Sequence, residues 1–141
     1  MEAGQNEDVF YGIYHCGEMS IHLESVEPFY KALNRVAGIY IIPRSILWGG
    51  GSGLIKEHRW RNTMVQSKFV VWVAEDLPHS ERLITIAHEL VHLILTMQGF
   101  PFDRQMGEQY ESWIDDIAKG FYQKNPDFLS FVYANYARIA A

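Results

Sequence analysis

Cysteine is nearly missing from this chain: among 141 residues there is one, Cys16. A single thiol excludes an intramolecular disulfide and fits a protein kept in a reducing compartment. Long apolar runs are missing too, so no transmembrane helix is expected. Positive charge is in the minority. Twelve Lys and Arg stand against 17 Asp and Glu, for a formal net charge of −5, which argues against direct nucleic-acid binding. Residues 1–8 are polar and acidic. They lack the basic start and apolar core of a secretory signal, and they read as a short mobile tail on a cytoplasmic protein. Low complexity is confined to one run, Gly49-Gly50-Gly51-Ser52-Gly53, and there is no internal repeat.

What remains is globular: 48% hydrophobic, 21% charged and 14% aromatic, at a length that suits one domain over residues 1–141. Residues 9–23 read as irregular or short strand. Val26, Phe29, Tyr30, Leu33, Val36 and Ala37 recur at helical spacing. Ser25 suits the start of that helix, Pro28 its first turn and Gly38 its stop. Residues 39–42 and 46–48 read as strands. The glycine run reads first as a solvated loop, with a flexible lid or an engineered linker as the alternatives. Residues 56–61 read as a solvated strand or hairpin face rather than a basic patch. Residues 68–75 form a clear strand through Phe69, Val70, Val71, Trp72 and Val73. After Asp76-Leu77-Pro78, Ser80 suits the cap of a helix over 80–97. Asp103 suits the cap of another running to about Gln123, and Asp127 that of a last one with Phe128, Phe131, Val132, Tyr136 and Ile139 on one face.

Inside the 80–97 helix stands His88-Glu89-Leu90-Val91-His92. Two histidines four apart lie one above the other on a helix, and a glutamate beside the first completes the layout of two zinc ligands and a general base. A shuffled chain of this composition contains such a pentad roughly 2% of the time, so the pentad needs support from its surroundings. The helical wheel supplies it. Leu83, Ile84, Ile86, Ala87, Leu90, Val91, Leu93, Ile94 and Leu95 cover nearly the whole circumference, leaving one polar stripe of Arg82, Thr85, His88, Glu89 and His92. A helix apolar on almost every side is buried, and a polar stripe on a buried helix needs a partner. A metal ion is the partner this stripe predicts.

A catalytic zinc takes three protein ligands and keeps one position open. The candidates for the third are Asp103, Glu108, Glu111, Asp115 and Asp116. On the wheel of the following helix, Met106, Tyr110, Trp113, Ile114, Ile117, Ala118 and Phe121 form the apolar face. Glu111 lies at its edge, with Asp115 one turn further on. Glu108 is further round, and Asp116 points to the opposite side. Glu111 is the first choice, with Glu108 and Asp115 as alternatives.

Eighteen residues separate His92 from Glu111, and Asp115 follows one turn later. This resembles the glutamate-zincin metallopeptidases, in which the later glutamate binds zinc and the acid one turn on holds a ligand histidine by its other ring nitrogen. More narrowly, the strand at 69–74, the turn, and Arg82-Leu83-Ile84-Thr85-Ile86-Ala87 leading into the pentad resemble the ImmA/IrrE family. So does Glu111-Ser112-Trp113-Ile114-Asp115-Asp116-Ile117-Ala118. Asp115 stands where that family usually has Asn, and Val91 where it usually has Gly. The resemblance covers residues 70–118, roughly a third of the chain.

The resemblance implies an α+β fold: a small zincin-like domain, with a short, mostly antiparallel sheet packed on helices. It implies Zn²⁺ on His88, His92 and Glu111, Glu89 as general base, and Asp115 behind a ligand histidine. The substrate would be a protein or peptide, for example a regulatory protein such as a repressor, with any DNA-binding partner on a separate chain. His58, His79, Tyr110 and Tyr122 are candidate donors to the developing oxyanion. The strand at 69–74 is a candidate edge for pairing with an extended substrate. Two other readings compete: a regulatory or effector module that holds metal without cutting, and a zinc hydrolase acting on a non-peptide substrate. The intact Glu89 favours catalysis, because a structural site needs no base.

Overall fold

The computed structural model describes residues 12–16, 19–47, 51–58, 68–100 and 107–139. The expected tail at 1–8, Trp48, Gly49, Gly50, residues 59–61 and Asp103 lie outside them. The described chain is an α+β structure. Its elements are β1 (Ile13–Cys16), β2 (Met19–His22), α1 (Glu27–Leu33), β3 (Val36–Ile42), a 3₁₀ turn (Arg44–Ile46), β4 (Gly53–His58), β5 (Lys68–Ala74), α2 (His79–Met97), α3 (Gly107–Lys124), α4 (Pro126–Tyr136) and β6 (Ala137–Ile139). No described helix is long and apolar enough to cross a membrane.

The main sheet has the order β4-β5-β3-β6, and β1 and β2 form a separate antiparallel hairpin. The expectation of a mostly antiparallel sheet holds for the hairpin and for β4 with β5, but β3 pairs in parallel with both β5 and β6. The reason lies in the connections. Between β3 and β5 the chain passes through β4, which runs antiparallel to β5, and from β5 it runs through α2, α3 and α4 to return as β6 on the far side of β3, a helical crossover that delivers a parallel strand. A second correction concerns β5. It has neighbours on both sides, so β4, not β5, ends the sheet among the described residues.

Alternation sorts the two faces of the sheet. Ile39, Ile41, Val71 and Val73 point into the core with the helices, whereas Ile42 and Ala74 meet Leu47, Tyr40, Leu54 and Trp72 on the other face. Helix α2 is the centre of the helical layer. It packs against α1, α3, α4, β4 and β5, and from Leu83 to Leu95 its apolar side chains are buried except Ile84. The hairpin lies against α3.

Several local expectations shift. The first helix ends at Leu33, a turn early, because Val36 already pairs with Phe69 and Gly38 with Val70; cross-strand pairing outweighs helical periodicity there. Of the strand expected at 46–48, Ile46 instead ends a 3₁₀ turn (Arg44–Ile46), Leu47 lies outside any strand and residue 48 is not described. Neither Ser80 nor Asp127 caps a helix: the caps are Pro78 and Asn125, without side-chain bonds. The last helix buries Leu129 and Val132, leaves Phe131 46% exposed, and gives way to β6 before Ile139.

An aromatic cluster joins α1, α3 and α4. Phe29 stacks on Phe121 with centroids 3.8 Å apart and meets Phe128 edge-on at 6.1 Å. Phe29 is fully buried, so Phe29→Ala should lower unfolding free energy by ~3–5 kcal/mol in urea denaturation. A loss below ~1 kcal/mol would show that the cluster does not hold the helices together.

Candidate metal centre

The polar stripe of α2 emerges at a cleft of about 440 Å³, bordered by Gly51, Ser52, Gly53, Leu54 and Ile55 on one side and by Glu111 and Asp115 of α3 on another, with Ile84, Thr85, His88, Glu89 and His92 as its α2 wall. Two turns set its frame. Arg82, on the first turns of α2, donates to the Leu77 carbonyl at 3.1 Å and to the Tyr133 hydroxyl at 2.9 Å, and it also reaches the Glu75 carbonyl. This ties the β5–α2 turn to α4. Arg44 donates through Nε and Nη2 to both Asp76 oxygens and through Nη1 to the Gly51 carbonyl.

Three side chains converge in the cleft. His88 Nε2 lies 2.9 Å from Glu111 Oε2, and His92 Nε2 lies 3.1 Å from Glu111 Oε1. The ligand atoms of the three residues all fall within 4.8 Å of one another. Asp115 stands behind, with Oδ1 3.4 Å from His88 Nδ1 and Oδ2 3.0 Å from Lys119 Nζ. Lys119 is not among the sequence candidates, although its spacing from Asp115, one helical turn, is a readable signal. Glu108 and Asp116 are exposed and stand outside the group.

The electrostatics differ between the two glutamates. Glu111 is half exposed, and its hydrogen bond with His92 and the charges of both histidines hold its carboxyl at about 2, below the ordinary 4.5. Glu89 is only 5% exposed. Burial pushes its carboxyl above 4.5, against the pull of His92 and His88. Its Oε2 is buried with no hydrogen-bond partner among the described residues.

This donor set fits a divalent metal ion. In a tetrahedral zinc site with bonds of ~2.0 Å, neighbouring ligand atoms stand ~3.3 Å apart, close to the spacing of Glu111 from either histidine. In the neutral tautomer that donates Nδ1–H to Asp115, Nε2 of His88 keeps its lone pair on the side of Glu111, the arrangement a metal ligand needs. Two imidazoles and one carboxylate are a ligand set that zinc favours.

The other sequence candidates fall elsewhere. His79 packs edge-on against Tyr133. Tyr110 is buried against Trp113, and Tyr122 is packed against the core. None of the three lines the cleft, and the side chain of His58 lies outside the described residues. The glycine run is only partly a solvated loop. Gly51, Ser52 and Gly53 wall the cleft, and the Ala74 N–H donates to the Ser52 carbonyl at 2.8 Å. No local pattern signals their role, because it depends on strand pairing distant in sequence. No protein-family model, curated protein or solved structure matches the chain.

Two outcomes test the centre. Glu111→Ala should lose most bound zinc under dialysis against buffered metal, and retention of full stoichiometry would remove Glu111 from the ligand set. In chelator-treated protein, a carboxylate held near 2 adds stability above its ordinary 4.5 and loses it as pH falls toward 2. The stability gap between wild type and Glu111→Gln should therefore be widest above pH 4.5 and shrink below it. Because the group is half exposed, the gap is small. A gap that grows on acidification would contradict the pairing.

Proposed function

We propose that this chain is a zinc-dependent endopeptidase of the glutamate-zincin type, akin to the ImmA/IrrE family, hydrolysing a peptide bond in a protein substrate. The observation that carries the proposal is Glu89. A buried carboxyl with one oxygen unpartnered, adjoining a convergent His/His/Glu group at an open cleft, serves no purpose in a closed structural site.

In this reading His88 and His92 bind as neutral imidazoles and Glu111 as carboxylate, with Asp115 orienting His88. Zinc held there would polarise the scissile carbonyl and acidify a water. Glu89 accepts a proton from the attacking water and delivers it to the departing amine nitrogen, and its burial makes it a stronger base than an ordinary carboxylate. The strand available to an extended substrate is β4, which ends the sheet among the described residues and contributes Gly53, Leu54 and Ile55 to the cleft. Pairing along it would carry a peptide backbone past the metal group. Substrates would be regulatory proteins in the cytoplasm, with any DNA-binding partner a separate chain.

Glu89→Gln keeps the shape and removes the base. It should retain stoichiometric zinc and lose cleavage of unfolded protein or peptide substrates by roughly 10²–10⁴-fold. Undiminished cleavage would remove Glu89 from the mechanism. Wild-type protein that holds zinc yet cleaves nothing would instead be a metal-binding regulatory module.

A further inference from the structure

Gly53 stands at the start of β4, directly over the α2 wall of the cleft. Its backbone conformation does not demand glycine: the described glycines with positive φ are Gly12, Gly99 and Gly107. Space does. A Cβ on Gly53 would lie 2.5 Å from Thr85 Cγ2 and 3.1 Å from the Trp72 carbonyl oxygen, both inside the ordinary 3.4–4 Å, and would touch Glu89 Cγ at an ordinary 3.4 Å. None of these neighbours yields easily. Thr85 is β-branched and held to few rotamers on a helix. The Trp72 carbonyl belongs to β5, and Glu89 is buried. Meanwhile β4 is fastened from behind by the Gly53–Val73 pairing, the Ser52–Ala74 bond and the Arg44–Gly51 bond.

We infer that Gly53 is a positioning residue, its missing side chain letting β4 close onto Thr85 and Glu89 so that the strand and the metal group act on one bound peptide. This inference rests on the peptidase reading for its substrate. The residues that would hold metal lie on α2 and α3, none on β4. A methyl group at position 53 therefore strains the seating of β4 on Thr85, where it would stand 2.5 Å from Cγ2, without removing any member of the His88/His92/Glu111 group.

The test is a cycle of Gly53→Ala and Thr85→Ser, since serine lacks the Cγ2 that the new methyl group meets. Gly53→Ala should keep zinc stoichiometry and lower kcat/KM for a peptide substrate by roughly 10²-fold, as ångström-scale misplacement does. In the Thr85→Ser background the same substitution should cost only a few-fold. Wild-type cleavage by Gly53→Ala, loss of zinc together with activity, or an equal penalty in both backgrounds overturns the inference. A second readout needs no turnover. Calorimetry should show Gly53→Ala weakening a leucyl-peptide hydroxamate by roughly tenfold or more while acetohydroxamate, which touches only the metal, binds as before. Equal change for both ligands, or none, overturns it. If wild type cleaves no peptide yet the hydroxamates separate as expected, the peptidase reading falls and the role of Gly53 stands.

Discussion

Burial of α2 constrains everything around it. The helix is enclosed by α1, α3, α4 and the β4–β5 end of the sheet, so the middle of its polar stripe reaches solvent only through the cleft. Glu89 and His92 are the buried polar and charged residues among those described. Leaving such groups uncompensated is costly, and the fold answers by bringing Glu111 across from α3 and opening a cleft over the stripe. The site is the place where a nearly all-apolar helix becomes tolerable to bury.

That arrangement divides labour between elements. Helix α2 supplies two imidazoles and the buried Glu89 carboxyl in fixed relation, because residues one turn apart share a face. Helix α3 supplies a carboxylate to both imidazoles and, one turn later, Asp115 to the outer nitrogen of His88, itself braced by Lys119. The strand side adds no ionisable group to the cleft wall. It contributes backbone and small or aliphatic residues, Gly51 through Ile55. Arg82 and Arg44 fix the turns that set these parts at their distances.

Much of the site is legible in the order of residues alone. The pentad, the stripe and the edge position of Glu111 all follow from helical geometry within single segments, and the fold brings those residues together. The strand at 68–74 and the three long helices are likewise visible as local periodicities. The misreadings share one cause. Val36 and Ala37 fit a helix by periodicity, and Gly38 its stop, yet all three join β3, where Phe69 pairs with Val36 and Val70 with Gly38. The parallel pairing of β6, the interior place of β5 and the seating of Gly53 against Thr85 all depend on residues brought together by the folded chain.

The sequence by itself determined which residues form the candidate metal group, since i and i+4 spacing and the 3.6-residue period are properties of a helix alone. Only the tertiary structure decided that Glu111 spans both histidines, that β4 rather than β5 ends the described sheet, and that Gly53 must be bare. Those facts concern distances between segments, and such distances follow from how whole elements pack rather than from any local pattern.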